Sequence, residues 1–295
     1  MNSYASLTSL KRLMFSSHIG AGDIPPIAFD VDLIDSLEEG SREFEIACNR
    51  TFYLWEGIRY FDGGGIRVIM EDDIYSITSM DVDTDGDGVY ESNFILDTSG
   101  AIQPDVFTYP KPKIAYWPKT RIEANPWGRY GHFGSGIRAA IKITGIFGFG
   151  NDWPMPAYLP VDGLTAGINA ATLTIPVTSG AAYSKATTAR IDSEQMYILD
   201  INSNALTVEA RGINGTTAAS HAQGAVVNVY QFPKAVEHAV TIYAMRCWKR
   251  KDSMYQNIVV NAELGTVDVW KGDDPDWISA VKLYKRHQGP GRYVG

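Results

Sequence analysis

The spacing of apolar residues changes twice along the chain, and this change constrains the fold more than any single motif. Apolar residues recur every three or four positions, as on one face of a helix, in residues 6–14, 30–49, 233–252 and 276–286. Between the second and third of these segments the period becomes two, most clearly in residues 138–149. The sequence therefore predicts about four helices near the ends of the chain and a β-rich centre.

Ten short segments of the centre read as strands. They are residues 66–70, 74–80, 94–96, 106–109, 114–117, 121–124, 172–177, 196–201, 205–208 and 226–230. From about residue 161 to 229 the composition shifts toward Ala, Thr, Ser, Gly and Asn, between the turn that begins at Trp153 and Pro233. We therefore expect an α+β chain. Its body, residues 1–160 and 231–295, would combine about four helices with a β-rich central region, and a small β domain would be inserted at 161–230.

The predicted helix ends carry recognisable residues. Asp30 or Asp32 would cap the second helix, and Pro233 suits the first turn of the third. Cations in the last turn of a helix interact favourably with its dipole. Six basic residues follow this pattern at the ends of the third and fourth helices: Lys249, Arg250, Lys251, Lys282, Lys285 and Arg286.

Charge and hydropathy exclude several classes of protein. The net charge is −8, so the chain is not expected to wrap DNA with a basic patch. No stretch approaches the ~18 consecutive apolar residues that cross a bilayer, and no apolar segment typical of a secretory signal follows Arg12. Cys48 and Cys247 are far apart in sequence, which favours thiols in a reducing compartment and leaves one disulfide open.

Motifs of catalysis are absent from the sequence. It contains no Gly-x-Ser-x-Gly, no phosphate-binding glycine loop, and no pair of histidines at the spacing of a zinc protease. Neighbouring carboxylates such as Glu71, Asp72 and Asp73 are explained as solvated turn residues. His221 is expected to shape a β turn and His238 to lie on the surface. We therefore expect no enzymatic activity and no cofactor, apart from the cation considered next.

The stretch from Asp81 to Glu91 is rich in Asp and Gly. Counted from Asp81, Asp83 and Asp85 occupy the third and fifth positions of a calcium loop, with Asp87 beside them. The twelfth position should be Glu and is Ser92, and the flanking residues alternate like strands rather than helices. Asp and Gly also favour hairpin turns. We therefore predict a hairpin tip, with Asp81, Asp83, Asp85 and Asp87 as a weaker calcium candidate.

Several phrases together resemble the head–tail connector, or adaptor, proteins of long-tailed bacteriophages. They are a long helix ending in Cys48-Asn-Arg-Thr-Phe-Tyr, the strand phrase Ile143-Thr-Gly-Ile-Phe-Gly-Phe, a helix from Ala235 that ends in Lys249-Arg-Lys-Asp-Ser, and Asp274-Pro-Asp before a short helix. The segment from Leu206 to Ala225 is similar to a small β module of phage structural proteins. This chain departs from the plain members of the family in carrying much more β structure.

The resemblance implies a structural virion protein at the head–tail interface, assembled in the host cytoplasm. It implies a ring of about twelve copies beneath the portal, with a stopper or tail-completion protein as the next partner. DNA would pass through the lumen without sequence-specific binding, and no membrane is involved. The basic residues from Lys249 to Lys251 and from Lys282 to Arg286 could contact the portal or DNA, or could be solvated helix ends.

A function of a different class is an alternative to the connector function. The aromatic clusters at residues 52–55, 60–61 and 116–117 favour a core or an oligomer interface. The alternative is a calcium- or carbohydrate-binding β-rich module of a phage tail or surface protein.

Overall fold

The computed structural model describes residues 2–16, 27–110, 118–150, 157–252, 258–261, 265–268 and 274–286. Four α-helices are present: α1 (Leu7–Ser16), α2 (Asp30–Cys48), α3 (Lys234–Asp252) and α4 (Pro275–Tyr284). The strands of the first half are β1 (Trp55–Ile66), β2 (Val68–Val82), β3 (Ser92–Asn93), β4 (Val106–Tyr109), β5 (Lys119–Ala124) and β6 (Phe133–Phe147). Those of the second half are β7 (Tyr158–Gly163), β8 (Thr174–Pro176), β9 (Thr187–Ile191), β10 (Glu194–Asn202), β11 (Ala205–Val208), β12 (Val226–Tyr230), β13 (Ile258–Asn261) and β14 (Gly265–Asp268).

The expected fold class, a helical connector body with added β regions, is wrong. Of the described residues 37% are strand and 27% helix, and most of the strands form two large antiparallel sheets of six strands each. Three strands are long, namely β1, β2 and β6, of 12, 15 and 15 residues. Long strands bury side chains on a sheet face and so form a core without helices.

The described residues divide into two compact units. The first contains residues up to 49, 157–213 and 217–286, and the second contains 50–150 and 214–216. The first unit therefore holds all four helices and the sheet with the order β7-β12-β9-β10-β11-β8, which spans the predicted insertion at 161–230. The second unit is built on the sheet with the order β1-β6-β2-β5-β4, to which β3 adds beside β2.

The four predicted helices are confirmed, within a few residues at each end. The predicted apolar face of α2, which includes Leu33, Leu37 and Phe44, is fully buried. The predicted cap of α2 is wrong, because no side chain caps its first turn. The Asp30 carboxylate instead binds the ammonium groups of Lys11 and Lys185.

The helices of the first unit pack on one another. Gly40 of α2 lies against Tyr243 of α3, where an added Cβ would come within 2.9 Å of the ring. Trp277 of α4 contacts both Tyr243 and Phe44, with ring centroids 5.2 and 5.1 Å apart. The Arg286 amide, just past α4, donates to the Cys48 carbonyl at the end of α2 over 2.9 Å. Segments that are far apart in sequence thus form one helical cluster.

The sheet of the second unit follows the alternation seen in the sequence. In β6 the residues Ile141, Ile143 and Phe147 point to the core and are fully buried. β6 pairs with β1 on one side and β2 on the other, and both pairings are antiparallel. The strands predicted at 66–70 and 74–80 are one continuous strand, β2, and the strand predicted at 114–117 lies outside the described residues.

Candidate cation site

A nine-residue loop joins β2 to β3 in the second unit. The two strands pair antiparallel, with Asp81 opposite Asn93 and Val82 opposite Ser92. Residues 83–91 therefore close a hairpin, which confirms the prediction made from the Asp and Gly residues.

The loop brings four carboxylates together. One oxygen from each of Asp83, Asp85, Asp87 and Glu91 lies within 4.8 Å of the others. Asp83 is buried, with 3% of its surface exposed, whereas the other three are open to solvent. Several carboxylate oxygens converging on one point is the arrangement that hard cations such as Ca²⁺ prefer.

The cluster shares three residues with the predicted calcium set, but it lacks Asp81 and contains Glu91. Asp81 is not one of the four, because its carboxylate lies on β2, 3.3 Å from the Lys142 ammonium, and also accepts from the Asn93 amide. Glu91 joins instead. Counted from Asp83, the loop reads Asp-x-Asp-x-Asp-Gly with Glu91 at the ninth position. Counting the ligand positions of a calcium loop from Asp83 instead of Asp81 would have identified this set in the sequence.

Backbone amides hold Asp83 in place. Gly86 and Gly88 donate their N–H groups to the two carboxylate oxygens over 2.6 and 2.9 Å. Both glycines have φ of +86°, a left-handed conformation that other residues rarely adopt. The Thr84 amide and hydroxyl each donate to Glu91 over 2.9 Å. The glycines of the loop therefore serve the carboxylates as well as the turn.

The same hydrogen bonds keep two of the acids ionised. Desolvation would raise the pKa of Asp83, but the amides of Gly86 and Gly88 outweigh it and lower the pKa below its ordinary value. The Thr84 amide and hydroxyl lower the pKa of Glu91. A carboxylate oxygen that accepts one hydrogen bond retains a lone pair for a metal. Asp83 and Glu91 thus keep oxygen atoms that can bind a cation.

A second charged cluster lies in the inserted β region of the first unit. Glu194 is fully buried, and Arg211 binds both of its oxygens, over 2.7 and 2.8 Å. The amides of Gly212 and Ala219 also donate to Glu194. Burial would raise the pKa of Glu194, but the bonds from Arg211, Ala219 and His221 together lower it. This carboxylate is neutralised within the chain.

His221 extends this cluster to the surface. Its Nε2 lies 2.8 Å from Glu194 and its Nδ1 lies 2.7 Å from Asp192. A neutral imidazole can donate from only one nitrogen, so His221 satisfies both carboxylates only when both nitrogens carry protons. The sequence indicated a turn at His221 and missed this role, because Asp192 and Glu194 precede it by more than 25 residues.

The six basic residues predicted to contact the portal or DNA fall in two places. Lys249 is exposed in the last turns of α3 and Arg250 is half-buried, while the Lys251 side chain lies outside the described residues. Lys282 and Lys285 are exposed at the end of α4, and Arg286 follows them. The structure therefore places basic residues at the ends of two neighbouring helices.

The remaining candidates are explained by packing. The expectation that Asp73 is a solvated turn residue is wrong, because Asp73 is buried within β2, with an oxygen 3.3 Å from Arg50 Nε. The side chains of Glu71 and Asp72 lie outside the described residues. Of the aromatic clusters, Phe52 is buried and Trp55 stacks on Phe147. Residues 116–117 lie outside the described residues. His238 is half-exposed near Asp276. Both cysteines are thiols, as one of the two alternatives predicts.

A cavity of about 460 Å³ lies in the first unit between the N-terminal segment and the edge of its sheet. Its charged residues are Lys234 and Glu237. Glu237 accepts hydrogen bonds from both Lys234 and Ser9, over 2.8 and 2.6 Å. These charges are thus already paired within the chain.

Comparison with protein-family models, with curated proteins and with solved structures finds no match. Within the described residues, none of the helices combines the length and apolar character needed to span a bilayer.

Proposed function

We propose that the chain is a structural protein of a bacteriophage particle, an adaptor that forms a ring beneath the portal at the head–tail interface. The observation that supports this most is the packing of α2, α3 and α4 into one cluster of the first unit. These helices carry three of the phrases that resemble the connector family, and α4 starts at its Asp-Pro-Asp phrase, where Asp274 caps the Asp276 amide over 2.9 Å.

The proposal does not require a body made of helices alone. The helical cluster forms the part that resembles the connectors, and the two sheets add surfaces for neighbouring components. With a net charge of −8 the subunit gathers few phosphates, which suits a channel through which DNA slides. The stopper or tail-completion protein would bind the face of the ring away from the portal.

The test is negative-stain electron microscopy of the chain mixed with portal rings encoded in the same genome. We expect an added layer below the portal, with the rotational symmetry of the portal. The portal alone and the chain alone are the controls. A chain that adds no layer to the portal and stays monomeric in its presence would contradict the proposal.

We also propose a second property, the binding of a divalent cation by the hairpin loop. The observation that favours it is the convergence of Asp83, Asp85, Asp87 and Glu91 within 4.8 Å. Negative charges on carboxylates this close together repel one another, and a cation bound among them would remove that repulsion. The cation would fix the hairpin tip, so its role would be structural rather than catalytic.

Isothermal titration calorimetry with CaCl₂ tests this property. We expect one site per chain that is lost in the double variant Asp85→Asn/Asp87→Asn. Asp81→Asn is the matched control, because Asp81 belongs to the same stretch but not to the cluster. Equal binding by all three proteins would rule out the loop as the site.

A further inference from the structure

One face of α2 carries an uninterrupted acidic stripe. Asp32, Asp35, Glu39 and Glu43 are all exposed and follow one another at intervals of three or four residues. Residues at these intervals lie above one another on the same face of a helix. We call this set the acidic stripe. Exposed apolar residues lie near its two ends, namely Val31 at 65% exposure and Ile46 at 73%.

The stripe is unlike an ordinary solvated helix surface. Like charges four residues apart destabilise a helix, and exposed helices commonly interleave the two signs. Other acids of α2 do have cations beside them, since Asp30 binds two lysines and Glu45 lies 3.1 Å from Arg42. Within the described part of the chain, no ion pair is seen for Asp35, Glu39 or Glu43. These three carboxylates thus leave a repulsion that an external cationic surface would relieve.

The exposed face of α4 has the opposite sign. Ile278 and Lys282 are exposed and lie at i and i+4, so they share one face of the helix, and the exposed Lys285 follows directly at its C-terminal end. Leu283, which follows Lys282 in the sequence, is 60% exposed at the same end of the helix. We call this set the basic face. Like the acidic stripe it combines charged and apolar exposed side chains, but here the charges are positive.

From this complementarity we infer that the acidic stripe of one subunit binds the basic face of a second copy of the chain. The inference rests on the proposed ring, and it names the surfaces through which the ring forms. A ring of identical subunits needs two different, mutually complementary patches on each subunit. The two patches lie on separate helices of the first unit and have opposite charges. DNA is not an occupant for the acidic stripe, since both are negative.

Charge reversal followed by mixing tests the inference. The acid-reversed variant is Asp35→Lys/Glu39→Lys and the base-reversed variant is Lys282→Glu/Lys285→Glu. Lys and Glu both favour helices, so both variants should keep the wild-type circular dichroism spectrum. Each alone should associate at least about tenfold more weakly than wild type in analytical ultracentrifugation, because like charges then meet at the contact.

Mixing the two variants should restore assembly, because every contact in an alternating ring again joins opposite charges. A chain that carries all four reversals should also assemble. Glu56→Lys, an exposed reversal in the second unit, is the control and should assemble like wild type. Recovery on mixing excludes misfolding as the cause of the loss.

Three results would overturn the inference, and they separate it from the proposed function. If both variants assemble as wild type does, the ring stands and the contact lies elsewhere. If the base-reversed variant assembles normally but loses DNA binding, the basic face binds DNA instead. If wild type never associates at any concentration, with or without portal, both the inference and the proposed ring fail.

Discussion

The two clusters of acidic residues, one in each unit, solve the same electrostatic problem in opposite ways. Glu194 is fully buried, and Arg211, His221 and two backbone amides surround it. The four carboxylates of the hairpin loop meet near the surface, and their hydrogen bonds come from amides and one hydroxyl within the loop. The first cluster contains its own cation, whereas the second would have to take one from solution.

This difference predicts which changes, in side chains, pH or calcium, affect the stability of each unit. The stability contributed by the Glu194 cluster should depend on its own side chains and on pH, and calcium should not change it. The loop should respond to calcium and tolerate the loss of any nearby basic residue. Four experiments test this difference between the two clusters.

The largest effect is expected for Arg211→Met. It would leave a buried carboxylate without its guanidinium, and breaking a buried ion pair in this way costs about 3 to 5 kcal/mol. Arg211 also donates to the carbonyls of Asn169, Thr172 and Ala219, so these would lose a partner as well. Urea unfolding measures the loss, with the exposed Lys234→Met as the control. A cost below about 1 kcal/mol would mean that the pair contributes little.

Acid should produce the next largest effect. The pKa of Glu194 in the folded chain lies below its ordinary value of 4.5, so its ionised form stabilises the fold. That contribution is present above pH 4.5 and is lost as the pH falls through the folded pKa. The melting temperature of wild type should therefore fall more steeply on acidification than that of Glu194→Gln. Parallel curves for the two proteins would contradict the role given to Glu194.

Calcium should act on the loop alone and to a smaller extent. A ligand that binds only the folded state raises the melting temperature with its concentration. We expect CaCl₂ to stabilise wild type and Asp81→Asn, and to have no effect on Asp85→Asn/Asp87→Asn. Hydrogen exchange should slow in residues 83–91 but not around Glu194. Slower exchange in both clusters would remove the contrast between them.

The smallest effect is expected at the exposed end of the Glu194 cluster. Asp192 is 67% exposed, and ion pairs of exposed groups contribute about 0 to 1 kcal/mol. Asp192→Ala should therefore cost less than His221→Ala, which removes a hydrogen bond to a buried charge and should cost about 1 to 3 kcal/mol. Thermal unfolding of both variants checks the order, and the reverse order would show that Asp192 holds His221 in place.

Local patterns in the sequence predicted the elements that local chemistry determines. The helices follow from apolar spacing, and the hairpin at 83–91 follows from Asp and Gly, which favour turns whatever lies around them. β1 was missed because residues 55–66 contain Gly57 and three successive glycines, which ordinarily weaken a strand. Pairing with β6 holds this strand, and the register shifts between Phe61 and Gly64.

Contacts between residues that are far apart in the sequence could not be predicted from local sequence patterns. Glu91 is an exception, because it lies in the same short loop as Asp83 and was left out only because the count of ligand positions began at Asp81. His221 meets Glu194 only because the chain returns after 27 residues. The fold class failed for a related reason, since the amount of β structure depends on how the strands pair and not only on the number of short alternating segments.

Native mass spectrometry of the purified wild-type chain, alone and with portal, measures whether the chain forms the proposed ring. A ring adaptor should give one closed species of about twelve copies, or bind the portal in a fixed number that matches its symmetry. A monomer under both conditions, or a broad series of open assemblies with no preferred size, would contradict the account.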